Sequence, residues 1–206
     1  VEPRPDKAIT ALASARTGRP RASSRATLER LGFGLFAEQG FEQTTVDDIA
    51  AAAGIGRRTF FRYFASKNDL VWGDFEGELV RLEDLLAAAA PATSMMDALR
   101  GAVVEFNQFD PAEVPWHRQR MELILRVPTL QADATLRYAS WRAVVTKFAA
   151  ARMGVSPSDM LPRLVGHTAL AACLAAYEHW LTEEEAGLSA LLDEAMRQVA
   201  LGFGPQ

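Results

Sequence analysis

The sequence predicts an all-α protein: an N-terminal three-helix unit with a helix-turn-helix, then a larger helical domain, about nine helices in all. Three observations carry this. Apolar residues recur at three- and four-residue spacing, and no run alternates with the period of a strand. Capping residues precede the periodic stretches, and Gly or Pro follows them. Charge is also divided along the chain: residues 1–72 carry 11 Lys or Arg against 8 Asp or Glu, and the remainder carries 11 against 18. A small basic unit joined to a larger acidic one suits a reader of a polyanion attached to a domain with another task.

Composition excludes several classes. The chain has 206 residues, 49% of them hydrophobic, enough for a substantial core. No apolar run reaches the roughly 18 residues of a membrane span, because His167 and Thr168 interrupt the best one. The start does not resemble a secretory signal, and the single Cys173 cannot form an internal disulfide, so a cytoplasmic protein is expected. No cofactor or metal is expected. His167 and His179 lie twelve residues apart, with Glu178 beside the second, rather than at the four-residue spacing of a two-histidine metal site. An enzyme carrying a DNA-binding appendage is therefore only a remote alternative.

Residues 1–22 hold Pro3, Pro5, Gly18 and Pro20 without an apolar face and read as a flexible arm, in which Arg19 and Arg21, with Arg25 just beyond, are candidates for DNA backbone or minor-groove contact. The three-helix unit spans 23–72. Its first helix, about 23–38, has Leu28, Leu31, Leu35 and Phe36 on one face and closes at Gln39-Gly40. Thr44 and Thr45 are candidate N-caps of the second, which places Asp47 and Asp48 at the positive end of its dipole and repeats Val46, Ile49, Ala50 and Ala53. Gly54 ends it, and Ile55 plugs the turn.

The next helix, about 56–64, turns Phe60 and Phe64 inward together with Thr59, leaving Arg57, Arg58, Phe61, Arg62 and Tyr63 outward. Arginine matches the two acceptors of guanine in a bidentate fork, so Arg57 and Arg58 are the candidate base readers. Thr44, Thr45, Gly56 and Thr59 complete the candidate DNA surface, and Lys67, after the cap Ser66, suits a phosphate. The order Thr-Thr-Val, Asp-Ile-Ala, Ala-Gly-Ile, Arg-x-Thr-Phe, Tyr-Phe and Ser-Lys-x-x-Leu resembles the DNA-binding domain of the TetR family over about residues 25–72. Two departures stand out. Gly56 sits where that family usually has serine, and Phe61 where it often has tyrosine.

The body, 73–206, follows a linking helix expected at about 66–89, the expected lever between reader and body. Further helices are expected at about 95–109, 115–126, 129–153, 157–181 and 186–202. The helix at 157–181 has two apolar faces. Gly166, Ala169, Cys173, Ala176 and Trp180 form a small-residue face expected, with Leu192, Met196, Val199 and Phe203 of the last helix, to make a two-fold dimer interface. The resemblance implies the same pair of helices, and with it a palindromic operator. A mainly apolar ligand site is expected from Phe106, Asn107, Trp116, His117, Arg120, Met121, Leu125, Tyr138, Trp141, Val145, His167, Ala171, Leu174 and Tyr177.

The segments FFRYFASKNDLVWGDF, FNQFD, HRQRM, YASWRAVVTKF and AYEHWL, spread over nearly the whole chain, are similar to TetR-type regulators associated with mycofactocin gene clusters of actinobacteria. That resemblance implies a repressor of genes for a peptide-derived redox cofactor, with fatty acyl-CoA as candidate inducer and Arg118 or Arg120 meeting its phosphates. A DNA-binding architectural protein or activator without a small effector is the alternative.

Overall fold

The computed structural model describes residues 24–183 and 186–202. Ten helices lie in these residues: α1 Arg25–Gln39, α2 Val46–Ala52, α3 Arg57–Phe60, α4 Lys67–Trp72, α5 Phe75–Ala88, α6 Met95–Phe106, α7 Val114–Arg126, α8 Pro128–Met153, α9 Met160–Thr182 and α10 Leu188–Leu201. Ser24, Thr45, Ser66, Asp74 and Ser94 start five of them, each side chain accepting from the backbone N–H three residues on. At Thr45 the cap is reciprocal, because the Asp48 carboxylate accepts from the Thr45 N–H at 2.8 Å.

The linking helix expected at 66–89 is broken. Gly73 has φ +63° and ψ −142°, a conformation closed to side chains with a Cβ, and Asp74 caps a new helix directly after it. The chain thus turns between α4 and α5 where a continuous lever was expected. The recognition helix is also shorter than 56–64: α3 closes after Phe60, and residues 61–63 continue as turns, with Tyr63 N–H bonded to Phe60 O at 2.9 Å. Asn107 ends α6 early by donating its side-chain amide to Val103 O at 2.8 Å, and α9 begins only at Met160, after Asp159 in extended conformation.

Two apolar clusters hold the molecule. One joins Leu28, Phe33, Ile49, Phe60 and Leu70, all fully buried, and continues onto Ile124, Leu130 and Ala134 of α7 and α8. At about 1.5–3 kcal/mol for each large side chain, this burial docks the reader firmly on the body. The other cluster lies among α5, α6, α8, α9 and α10 and includes Leu82, Leu99, Val145, Leu192 and Met196. Among the described residues no helix is long and apolar enough to cross a membrane.

The expected dimer face lies inside this second cluster. Ala169, Cys173, Ala176, Trp180, Leu192 and Met196 are all buried within one chain, and Val199 is half-buried. Gly166 does serve close helix approach, but to α8 of the same chain: a Cβ there would lie 2.9 Å from the Arg142 carbonyl oxygen. Phe203 lies outside the described residues. The outward face of α9 carries exposed Leu161, Leu164, His167, Ala171 and Ala175 instead.

Candidate functional site

A helix N-terminus capped only by glycine leaves its first turn open. Gly56 makes no side-chain cap bond, and Arg57, Arg58, Phe61 and Arg62 stand exposed around that turn, with Thr59 and Tyr63 half-buried beside them. Arg57 pairs with Asp47 at 2.7 Å and lies over the Phe61 ring, 5.5 Å from its centroid. Both groups are well exposed, so the pair contributes little and a nucleic-acid partner can replace it. The cluster is a basic, partly aromatic surface as expected.

Four neighbouring residues have partners within the chain. Thr44 is buried and gives its hydroxyl proton to Gly40 O at 2.8 Å, so it does not face a ligand of α3. Thr45 spends its hydroxyl proton on Asp48 at 2.6 Å. The Lys67 ammonium, expected to meet a phosphate, donates to Phe41 O at 2.6 Å and Thr44 O at 2.9 Å and sits over the Phe41 ring. Burial lowers its pKa. It ties the α1–α2 loop to α4. Arg25 donates to Tyr63 O at 3.1 Å and Gly73 O at 2.7 Å, so it clamps the end of the reader to the α4–α5 turn rather than reaching out. Arg19 and Arg21 lie outside the described residues.

The second feature is a cavity of about 180 Å³ lined by residues of α4 to α9. Of the expected ligand residues, Phe106, Asn107, His117, Arg120, Met121, Tyr138, Trp141, Leu174 and Tyr177 line it. The others do not. Trp116 packs on Phe33 with ring centroids 4.3 Å apart, in the reader's cluster; Leu125 packs against the body's cluster, and Val145 is wholly buried inside it. His167 and Ala171 are exposed on the outer face of α9. Periodicity gives a residue's face but not which neighbour covers it.

Unexpected lining residues include Trp72, Phe75, Phe109, Leu170 and Cys173. Trp72 and Phe75 come from both sides of the Gly73 break, which no periodicity foretold. The Cys173 thiol is pushed up to about 12 by burial, which keeps it protonated and makes it a wall rather than a nucleophile.

At one end the polar groups are satisfied in series. The buried Tyr177 hydroxyl donates to Asn107 Oδ1 at 2.5 Å, and His117 Nε2 therefore donates to the Tyr177 oxygen at 2.8 Å. Burial, then the Arg120 charge, lowers the His117 pKa to about 3, so the ring is neutral. Phe109 stacks on it at 3.8 Å. Asn107 and Phe109 also line an outer cleft of about 660 Å³, where Arg118 lies over the Trp180 ring.

A chain of charge joins cavity to reader. Arg120 donates to Glu29 at 3.0 Å, Glu29 lies 3.5 Å from Arg25, and Arg25 holds the Tyr63 and Gly73 carbonyls. A second tie runs from Arg137 of α8 to Asp69 of α4, beneath the Trp72 ring.

Known proteins share both halves. The family described as bacterial regulatory proteins, tetR family, matches residues 31–71, and that described as the MftR C-terminal domain matches residues 93–204. A protein of Mycobacterium tuberculosis named as the mycofactocin biosynthesis transcriptional regulator MftR is 45% identical over 188 residues, 91% of this chain and 95% of that one. The HTH-type transcriptional regulator TcmR of Streptomyces glaucescens is 31% identical over 175 residues, 82% and 77% of the two chains. Among solved structures, FadR of Thermus thermophilus in complex with lauroyl-CoA shares the fold with a TM-score of 0.55 at 19% identity, covering 89% of this chain and 96% of that one. A regulator from Syntrophomonas wolfei does so with a TM-score of 0.64 at 15% identity, covering 88% and 96%. Sequence likeness of this extent, over the reader and the body alike, places the chain in the TetR family of bacterial transcriptional regulators.

Proposed function

We propose that the protein is a dimeric repressor that binds a two-fold DNA operator through α3 and is released when a mainly apolar molecule enters the α4–α9 cavity. The observation that carries this is the path from Arg120 in the cavity wall, through Glu29 and Arg25, to the carbonyls of Tyr63 and Gly73. A ligand shifts an equilibrium only by its difference in affinity between two states, and a wall residue tied to the reader supplies such a difference. Arg57 and Arg58 read bases, and Phe61, Arg62 and Tyr63 flank them. Dimerisation uses the outward face of α9, where Leu164, Ala171 and Ala175 share a ridge, in place of the buried small-residue face.

Long-chain acyl-CoA is the candidate effector. The M. tuberculosis relative is named for mycofactocin biosynthesis, and the FadR that shares the fold was solved with lauroyl-CoA. The cavity of about 180 Å³ is smaller than the roughly 300–1,000 Å³ of drug-sized sites. A long tail therefore requires the Phe109–His117 stack to part and join cavity to outer cleft, with Arg118 near the carrier's phosphates. The test is a gel-shift titration of the DNA upstream of its own gene with palmitoyl-CoA. Loss of the retarded band is expected; unchanged retardation at saturation excludes that inducer.

A further inference from the structure

A single apolar side chain at a surface needs no partner, but an aromatic ring held in place against an exposed arginine has a fixed position in whatever that arginine binds. Phe61 is the one exposed aromatic ring among the described residues. It closes α3 and is fixed from two sides. The buried Phe60 ring meets it edge to face, with centroids 5.5 Å apart, and the Arg57 guanidinium lies over it, 5.5 Å from its centroid. Phe61 N–H bonds to Arg57 O at 3.2 Å, one helical turn back, which sets both side chains on one face. Asp47 takes only Nη1 of Arg57, at 2.7 Å, and the Nη2 and Nε groups have no partner among the described residues. Guanine presents two acceptors, N7 and O6, to a pair of such N–H groups. Phe61 has no hydroxyl to give a phosphate, whereas thymine presents a C5-methyl group in the same groove.

We infer that Arg57 and Phe61 read two neighbouring base pairs as a unit, Arg57 a guanine and Phe61 the methyl group of a thymine, so that each operator half-site holds a thymine beside a guanine. The inference rests on α3 being the DNA-reading element. A guanidinium bonded to the edge of a guanine lies close to the plane of that base. A ring stacked on the guanidinium then falls at the level of the next base pair, about 3.4 Å along the duplex axis. The 5.5 Å between guanidinium and ring centroid accommodates one such step with a sideways offset. The same contact holds the arginine fork in place while it reads. Every other base sets a polar group against the ring, the amino group of cytosine or N7 of a purine, and the ring returns no hydrogen bond to it. Thymine alone offers an apolar edge.

Selection from a random-sequence duplex library by the full chain, as wild type, Phe61→Ala and Arg57→Ala, followed by gel shift on the enriched duplex at one salt concentration, tests this. Wild type is expected to select a thymine next to a guanine in both half-sites. Phe61→Ala should lose the thymine and keep the guanine, and Arg57→Ala should lose the guanine. Replacing the two thymines by deoxyuridine removes only their methyl groups. That should weaken wild type about tenfold, since each buried methyl is worth about fourfold and a dimer buries two, and should leave Phe61→Ala unaffected. Both side chains are exposed, so the variants should melt with wild type, and a lost preference there cannot be misfolding. A wild-type consensus without a neighbouring thymine, or equal weakening of wild type and Phe61→Ala by deoxyuridine, overturns the inference, while a guanine lost in Arg57→Ala keeps α3 as the reader. Preferences unchanged in both variants, or no sequence enriched by wild type, overturn the inference together with that reading.

Discussion

His117 is a histidine that the fold keeps neutral, and stability should report it. Its pKa falls from 6.5 to about 3 because burial and the Arg120 charge both disfavour the cation. The unfolded chain takes up a proton as pH drops through 6.5, and the folded chain does not. The contribution is therefore whole above pH 6.5 and is lost as pH falls from there towards 3, at about 1.4 kcal/mol per pH unit between pH 6 and 5. Urea unfolding at pH 7, 6 and 5 should show that slope in wild type and a flatter one in His117→Gln; equal slopes would refute the assignment. Other residues show how far a side chain's type misleads. Arg25 and Lys67 have the charge of phosphate contacts, yet backbone carbonyls from distant loops claim both. Those carbonyls are near only once the chain is folded, so no spacing rule finds them.

At the scale of elements, the turn at Gly73 is the structural novelty. Reading 66–89 as one helix follows from unbroken apolar periodicity across Trp72 and Phe75, and one glycine is weak reason to end it. The break becomes visible only through what surrounds it: Arg25 accepted by the Gly73 carbonyl, and Arg120 so close that a Cβ would meet its Nη1 at 3.1 Å. Gly73→Ala should cost about 1–3 kcal/mol, from forcing a side chain into a positive-φ conformation. Thermal unfolding measures this, and an unchanged midpoint would show that the turn relaxes freely. Weaker operator binding should accompany the loss if the turn sets the reader's angle. The caps, by contrast, were legible. Ser66 and Thr45 start the helices assigned to them, and α2 gives way to a turn at Gly54 with φ +65°.

For the whole molecule, the two apolar faces of α9 have different tasks in the dimer proposed above. Both are real, but the small-residue face is consumed by α8 and α10 of the same chain, leaving the Leu164 ridge outward. Leu164→Arg should therefore convert dimer to monomer in sedimentation and weaken operator binding at least tenfold, with helix content unchanged. Met196→Ala, at a position first expected in the interface, should instead destabilise the fold by about 2–5 kcal/mol through a core cavity. A Leu164→Arg variant that stays dimeric would place the interface elsewhere.

The sequence by itself determined the all-helical class, the caps and turn of the reader, its outward arginines, and nine of the residues around the cavity. Each of these is a local property: a period, a cap, or a side chain's size and polarity. The tertiary structure alone decided which apolar face stays exposed, which cations are spent on carbonyls, and that Trp72 and Phe75 close the cavity from both sides of the Gly73 break. Those depend on which surfaces the packing brings together, and side chains far apart in the chain carry no mark of the neighbour they will find.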